Sequence, residues 1–220
     1  MEFRVIGAAN DRRRWLARRH ELIGASEAAS LWPEVTTRFH NRDVLLQRKV
    51  LRSRGAREDP AKFHMFWGTL HEDDIIEAIN IGEVDGLPLL RWGDSGEPAE
   101  GFRCMVWGKL CVRRDAEFIG ATPDAVAGPG LLVEVKNPTE KNWMYWRKGP
   151  PWAYWAQVQH QMLVTGADQV TVAARFGARG CVHLWPVERH QSWIEEHEVR
   201  CRDFWAEVKA GRRARKQEVA

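Results

Sequence analysis

The segment ATPDAVAGPGLLVEVKNP brings two carboxylates and an amine close together: Asp124, Glu134 and Lys136. Gly128, Pro129 and Gly130 are a turn signal, and Leu131, Leu132, Val133 and Val135 follow it, so the spacing predicts a β-hairpin. With the arms paired symmetrically about position 129, Asp124 falls opposite Glu134, where directly opposed Cβ atoms are ~5 Å apart. The period-two alternation of a strand adds Lys136 to that face. The opposite face, Leu131, Val133 and Val135, should enter the core. Like charges this close repel, and on a strand built for burial they call for a cation between them. Hard oxygen donors of this kind suit Mg²⁺ or Mn²⁺, which keep positions open for water and phosphate. Lys136 would orient or activate an attacking water, or neutralise charge developing on the phosphate. The same residues also fit a plain surface hairpin, with Glu134 and Lys136 solvated and Asp124 in a turn.

Glu72 bears on that choice. On a helix through 66–80 it shares a face with Ile75, Ile76 and Ile79. A carboxylate on an apolar stripe is either functional or an acid favoured by the positive helix N-terminus after Gly68. Further on, Gln157, His160 and Gln161 form a polar stripe beside Tyr154, Trp155, Val158 and Met162, although Gln157 also reads as ordinary helix surface. No Ser–His–Asp elbow, P-loop, GxGxxG or HExxH occurs, so covalent hydrolases, P-loop NTPases, dinucleotide enzymes and zincins lack their usual marks. A metal-dependent phosphodiesterase remains.

The elements that must hold these residues are legible in outline. Two short helical stretches are expected over 12–31, broken at Gly24, the second opened by Ser26. An amphipathic helix over 41–51, a loop over 52–60 and a longer helix near 61–80 follow. Short strand-like runs fill 85–135, a helix covers 152–165, two strands lie within 169–187, and an amphipathic helix spans 188–210. This order argues for an α/β (α+β) fold with helices flanking a mixed central sheet, in one domain over 1–220. The 220 residues are 29% charged and 44% hydrophobic with 12 Trp, which excludes a disordered chain. No stretch approaches a membrane span, so a soluble, cytoplasmic protein is expected. Cys104, Cys111, Cys181 and Cys201 lack CxxC spacing and read as reduced thiols rather than a zinc site. Net charge is only +3, but cations gather at Arg12, Arg13, Arg14, Arg18 and Arg19 and again at Arg212, Arg213, Arg215 and Lys216. The second group reads as a frayed, solvated end over 211–220.

Four ordered stretches resemble the YqaJ-type viral recombinases, the phage lambda exonuclease family of the PD-(D/E)xK nuclease superfamily. They are Trp15-Leu16 through Arg19 with Ile23-Gly24-Ala25-Ser26-Glu27; Trp67-Gly68 followed by Glu72; Pro123-Asp124 with Glu134-Val135-Lys136; and Gln157-Val158-Gln159. The resemblance spans roughly 14–166 and implies a restriction-endonuclease-like core. It implies that Asp124, Glu134 and the Val135 carbonyl bind Mg²⁺, that Glu72 holds a metal or its water, that Lys136 positions the nucleophilic water, and that Gln157 supports it. Arg19 and Ser26 match the family's pocket for the 5′-phosphate of a DNA end. An Arg fork and a Ser opening a helix suit a phosphate, whereas the alternative is a Ser that only caps its helix beside a solvated Arg. The implied reaction is 5′→3′ digestion of one strand of duplex DNA, releasing mononucleotides and leaving a 3′ overhang. A ring-shaped homotrimer and a single-strand annealing protein are the implied partners. A PD-(D/E)xK endonuclease, a catalytically inert DNA-binding module and a tryptophan-rich carbohydrate or peptide binder are the alternatives. Apart from possible stacking on a frayed DNA end, the tryptophans are expected in core packing or subunit contacts.

Overall fold

The computed structural model of the protein describes residues 3–8, 17–32, 34, 40–52, 72–84, 87–93, 97–177 and 181–218. All but the first residue of the loop expected over 52–60, the first part of the helix expected over 61–80, and the motif residues Trp15, Leu16, Trp67 and Gly68 lie outside them.

A mixed seven-stranded sheet forms the centre. Its strands are β5 (Leu90–Trp92), β6 (Glu97–Pro98), β7 (Met105–Val106), β10 (Ala125–Gly128), β11 (Leu131–Lys136), β12 (Gln169–Arg175) and β13 (Val182–Glu188), in the order β6-β5-β13-β12-β11-β10-β7. β11 runs parallel to β12, and β12 antiparallel to β13. A second sheet joins β1 (Phe3–Ala8), β8 (Lys109–Arg113), β9 (Ile119–Ala121) and β2 (Ile23–Gly24) in the order β1-β8-β9-β2, and β3 (Glu83–Val84) pairs with β4 (Leu87–Pro88). The helices are α1 (Arg42–Leu51), α2 (Glu72–Ile81), α3 (Trp143–Trp146), α4 (Trp152–Thr165) and α5 (Gln191–Glu218). This is the α+β arrangement expected from the order of elements.

The hairpin pairs as the symmetry about position 129 requires. Ala125 faces Val133 and Val126 faces Leu132, a register that puts Asp124 opposite Glu134, with a bulge before Gly128. Both faces of β11 are covered, as befits a strand in the middle of a sheet. Val133 and Val135 pack with Ile75, Ile76 and Ile79 of α2, while Leu132 packs with Val158 and Met162 of α4. Glu134 and Lys136 share the alternation of Leu132, so they face α4. Leu131 does not enter the core. It is 39% exposed, because it follows the turn at Gly130 directly, before the flanking helices can cover it.

α4 occupies its expected range because Pro151 precedes it and Gly166, at φ 75°, ends it by donating its N–H to Met162 O at 2.9 Å. The last helix departs from expectation. The pattern predicts a helix over 188–210 and a frayed end over 211–220, yet α5 continues to Glu218. A Cβ at Gly211 would meet Val50 Cγ2 at 2.8 Å, so this glycine marks the close crossing of α5 over α1 rather than a terminus. Arg212, expected in a frayed end, donates instead to the Lys49 and His20 carbonyls and to Glu21.

Candidate active site

Glu134 is 3% exposed, so the plain surface hairpin is not what the sequence builds. Its Oε1 accepts from Lys136 Nζ and from Gln157 Nε2, and its Oε2 accepts from Gln161 Nε2. Every donor comes from β11 itself or from the α4 face that β11 packs against. Asp124 Oδ2 accepts the Val135 N–H at 2.7 Å, which pins the start of the hairpin to its second arm, next in sequence to Glu134. Lys136 Nζ also lies 5.4 Å from the Tyr154 ring centre.

The electrostatics follow from this crowding. Burial first, and the charge of Glu134 second, hold the Asp124 carboxyl well above its ordinary value, with Lys136 opposing. The same two causes raise Glu72. Burial alone would discharge Lys136, but Glu134 and Asp124 outweigh it and keep the ammonium charged. Glu72, at the first turn of α2, belongs to this group by its field. Among the described residues, Glu72, Asp124 and Glu134 do not form a three-donor cluster within 4.8 Å.

The donor set fits a hard divalent cation. Two acidic oxygens made costly by burial and mutual repulsion gain most from one. Gln161 adds a second sign. Its Oε1 is buried with no hydrogen-bond partner, so a spare acceptor sits on the same amide whose nitrogen holds Glu134. Gln161 was not among the expected site residues. Its signal was its i+4 spacing from Gln157, which puts both amides on one helix face.

A model of the YqaJ-like viral recombinase domain matches residues 14–168, more than two thirds of the chain. The chain belongs to the YqaJ-like viral recombinase family. Among solved structures, the alkaline exonuclease LHK-Exo of Laribacter hongkongensis superposes with a TM-score of 0.72 at 22% identity, covering 94% of this chain and 97% of that one. The same protein in complex with dAMP gives 0.72 at 20% identity, with the same coverage. A phage-related exonuclease from Haemophilus somnus 129PT gives 0.52 at 13% identity, covering 90% and 96%. These likenesses establish the shared restriction-endonuclease-like fold. No curated protein matches the sequence. The matched YqaJ-like segment stops just before β12, so β12, β13 and α5 lie beyond it, within the span that the structural neighbours share.

In this YqaJ-like chain Arg19 and Ser26 come together, Arg19 Nη2 donating to Ser26 Oγ at 3.0 Å. Ser26 does not cap a helix. It lies inside a 3₁₀ helix, Ala25–Leu31, whose N-cap is Gly24, and the capping carboxylate is Glu27, accepting the Gly24 N–H at 2.9 Å. Lys49 of α1 is 2% exposed and fastens the same turn, donating to the Arg19 and Leu22 carbonyls at 2.6 and 2.7 Å and pairing with Glu27 at 2.7 Å.

Among the described residues of this YqaJ-like chain, one cluster of metal-type donors lies apart from the hairpin, the buried His160, His197 and Cys201. Trp32 Nε1, which can only donate, lies 3.1 Å from His197 Nδ1. His197 therefore carries its proton on Nε2 and gives it to His160 Nδ1 at 2.9 Å, and His160 gives its Nε2 proton to the Gly120 carbonyl at 3.1 Å. Every ring nitrogen is used with both imidazoles neutral. Burial also raises the Cys201 thiol, which keeps it protonated. A metal would require the last proton of His197 and a thiolate, so these residues fit a structural relay and not an ion site.

Proposed function

We propose that this YqaJ-like chain is a Mg²⁺-dependent 5′→3′ exonuclease on double-stranded DNA ends, releasing mononucleotides and leaving a 3′ single strand for recombination by annealing. The observation that carries the reading is the buried Glu134 held by Lys136, Gln157 and Gln161 beside a high-pKa Asp124. The similarity to an alkaline exonuclease, seen alone and in complex with dAMP, supports the reaction class and the mononucleotide product.

In this reading Asp124, Glu134 and the Val135 carbonyl hold the ion, and Glu72 holds it or its water. The ion supplies positive charge that polarises the scissile phosphate and makes water a stronger nucleophile; Mn²⁺ can replace it. Lys136, kept charged by its neighbours, orients the water and stabilises negative charge on the phosphate rather than acting as a base. The two glutamine amides fix the Glu134 carboxylate, and Arg19 with Ser26 receives the terminal 5′-phosphate.

The remaining parts of the reading rest on the family resemblance. Residues 1–220 act as one nuclease domain, three copies close a ring around DNA, and a single-strand annealing protein takes up the overhang, in the cytoplasm of a bacterium or phage-infected host. No described helix is long and apolar enough to cross a membrane. Incubating linear and closed circular duplex with the protein and Mg²⁺ tests the reading. Loss of the linear form with the circle intact supports it, discrete fragments from the circle indicate an endonuclease, and intact DNA in both lanes indicates an inert binder. Light scattering at micromolar concentration should return three times the monomer mass.

A further inference from the structure

α3 follows the catalytic strand after a short turn and shows two opposite characters. Trp143 and Trp146, at i and i+3, point inward. Trp143 meets Phe176 at 4.9 Å and His183 at 4.5 Å between ring centres, and Trp146 is buried against Tyr154, Phe176 and Trp185 at 5.1, 5.6 and 5.5 Å. At about 100° per residue, fixing these two inward turns Met144 and Tyr145 outward on the opposite side. They are 67% and 77% exposed, the two most exposed large hydrophobic residues of the described molecule apart from Met105. The side chains are therefore held out by an anchored helix.

The surroundings say what chemistry would cover them. Lys141, Arg147 and Lys148 flank the pair, all three exposed, and residues 141–148 contain no acid. An open groove of about 560 Å³ runs beside it, lined by Thr139, Glu140, Lys141, Trp143 and Met144. The cores of protein interfaces favour tyrosine, methionine and arginine but are depleted in lysine, whereas single-stranded nucleic-acid sites combine stacking side chains with lysine and arginine cations. The location agrees: Trp146 touches Tyr154, and Tyr154 lies under the amine of Lys136.

We propose that Met144 and Tyr145 form a platform on which unpaired bases next to the scissile phosphate stack, with Lys141 and Lys148 contacting the backbone of that strand. This rests on the exonuclease reading for its substrate. The platform would hold the strand after the duplex has parted, a role that a base-independent surface fills because every base has a π face.

The test uses the full-length protein and a fluorescein-labelled oligo-dT strand, with anisotropy read in EDTA so that binding is separated from cleavage. Tyr145→Ala should bind about tenfold more weakly, while Tyr145→Phe stays within about twofold of wild type, since the ring and not the hydroxyl stacks. Lys148→Ala should lower the slope of log affinity against log salt by about 0.7. Unchanged binding by Tyr145→Ala, or equal losses in the Ala and Phe variants, overturns the platform. So does an unchanged strand affinity accompanied by a fall in assembly mass, which would make the face a contact between protein chains. The two readings fail separately. A wild-type protein that binds oligo-dT through Tyr145 but never shortens linear duplex defeats the exonuclease reading alone, and one that digests ends while Tyr145→Ala binds normally defeats the platform alone.

Discussion

Asp124 and Glu134 meet across a hairpin whose register was already set by Gly128, Pro129 and Gly130, so the central pair could be read from residue types and spacing. Lys136 and Gln157 join them as expected. Gln161 shares the polar stripe of Gln157, but a glutamine on a helix carries no mark of burial in sequence; only packing against β11 shows that its amide is spent on Glu134. At this scale the costly carboxylate gives a prediction. Asp124→Asn keeps an oxygen for the Val135 N–H but removes a charge, so DNA cleavage should fall by about 10²–10³-fold. The thermal midpoint without metal should hold or rise, and the upward shift on adding Mg²⁺ should vanish. Paired melts and a gel time course check this; wild-type cleavage by the variant would remove Asp124 from the site. The histidine relay gives another. Burial pushes His160 down to about 4, with the Gly120 carbonyl only partly offsetting it, and His197 is held well below the ordinary value by burial and by the charges of His160 and Arg200. Above pH ~6.5 both states are neutral and stability is full. Below it the unfolded chain takes up protons that the folded chain refuses, so stability should fall between pH ~6.5 and ~4 by about 3 kcal/mol for His160 alone. Urea melts across that range test the slope, and His160→Gln should flatten it.

Among the elements, the sequence is clearest where local chemistry decides, as at α4, bounded by Pro151 and Gly166. It misleads where a distant element decides. Gly211 resembles a helix stop, but Val50 of α1 requires a residue without a side chain there. Leu131 fits the apolar alternation yet stays exposed beside its turn, and Ser26 sits where a cap would be, although Glu27 does the capping. Lys49 had no signal at all, being one lysine on an amphipathic helix. Its ammonium nonetheless gathers two carbonyls and Glu27 beneath the Arg19–Ser26 turn, and Arg212 of α5 braces the Lys49 backbone. Lys49→Met leaves those acceptors buried without a donor and should destabilise the protein by about 2–4 kcal/mol in urea melts. With the turn loosened, the preference for 5′-phosphorylated over 5′-hydroxyl ends should drop as well. A Met variant as stable as wild type would show that the turn holds without Lys49.

For the whole molecule, the mixed sheet and its helices were legible from the order of strand and helix signals, while the strand order was not. The sequence places β12 and β13 after α4, but nothing local states that β12 lies parallel beside β11 or that β13 reaches β5. Those pairings join residues far apart in the chain and depend on which faces remain to be covered. They matter because they make β11 an interior strand, with β10 and β12 at its edges and α4 and α2 over its faces, and in the proposed reading that burial is what favours a cation at the two carboxylates. The most direct test follows single DNA ends. A blunt duplex is labelled on one strand at its 5′ end or at its 3′ end, and wild-type protein and Glu134→Gln are compared in Mg²⁺. Wild type should release the 5′ label as a mononucleotide at once and shorten the 3′-labelled strand stepwise, with Glu134→Gln inactive on both. Immediate release of the 3′ label, or digestion by Glu134→Gln at the wild-type rate, would contradict the account.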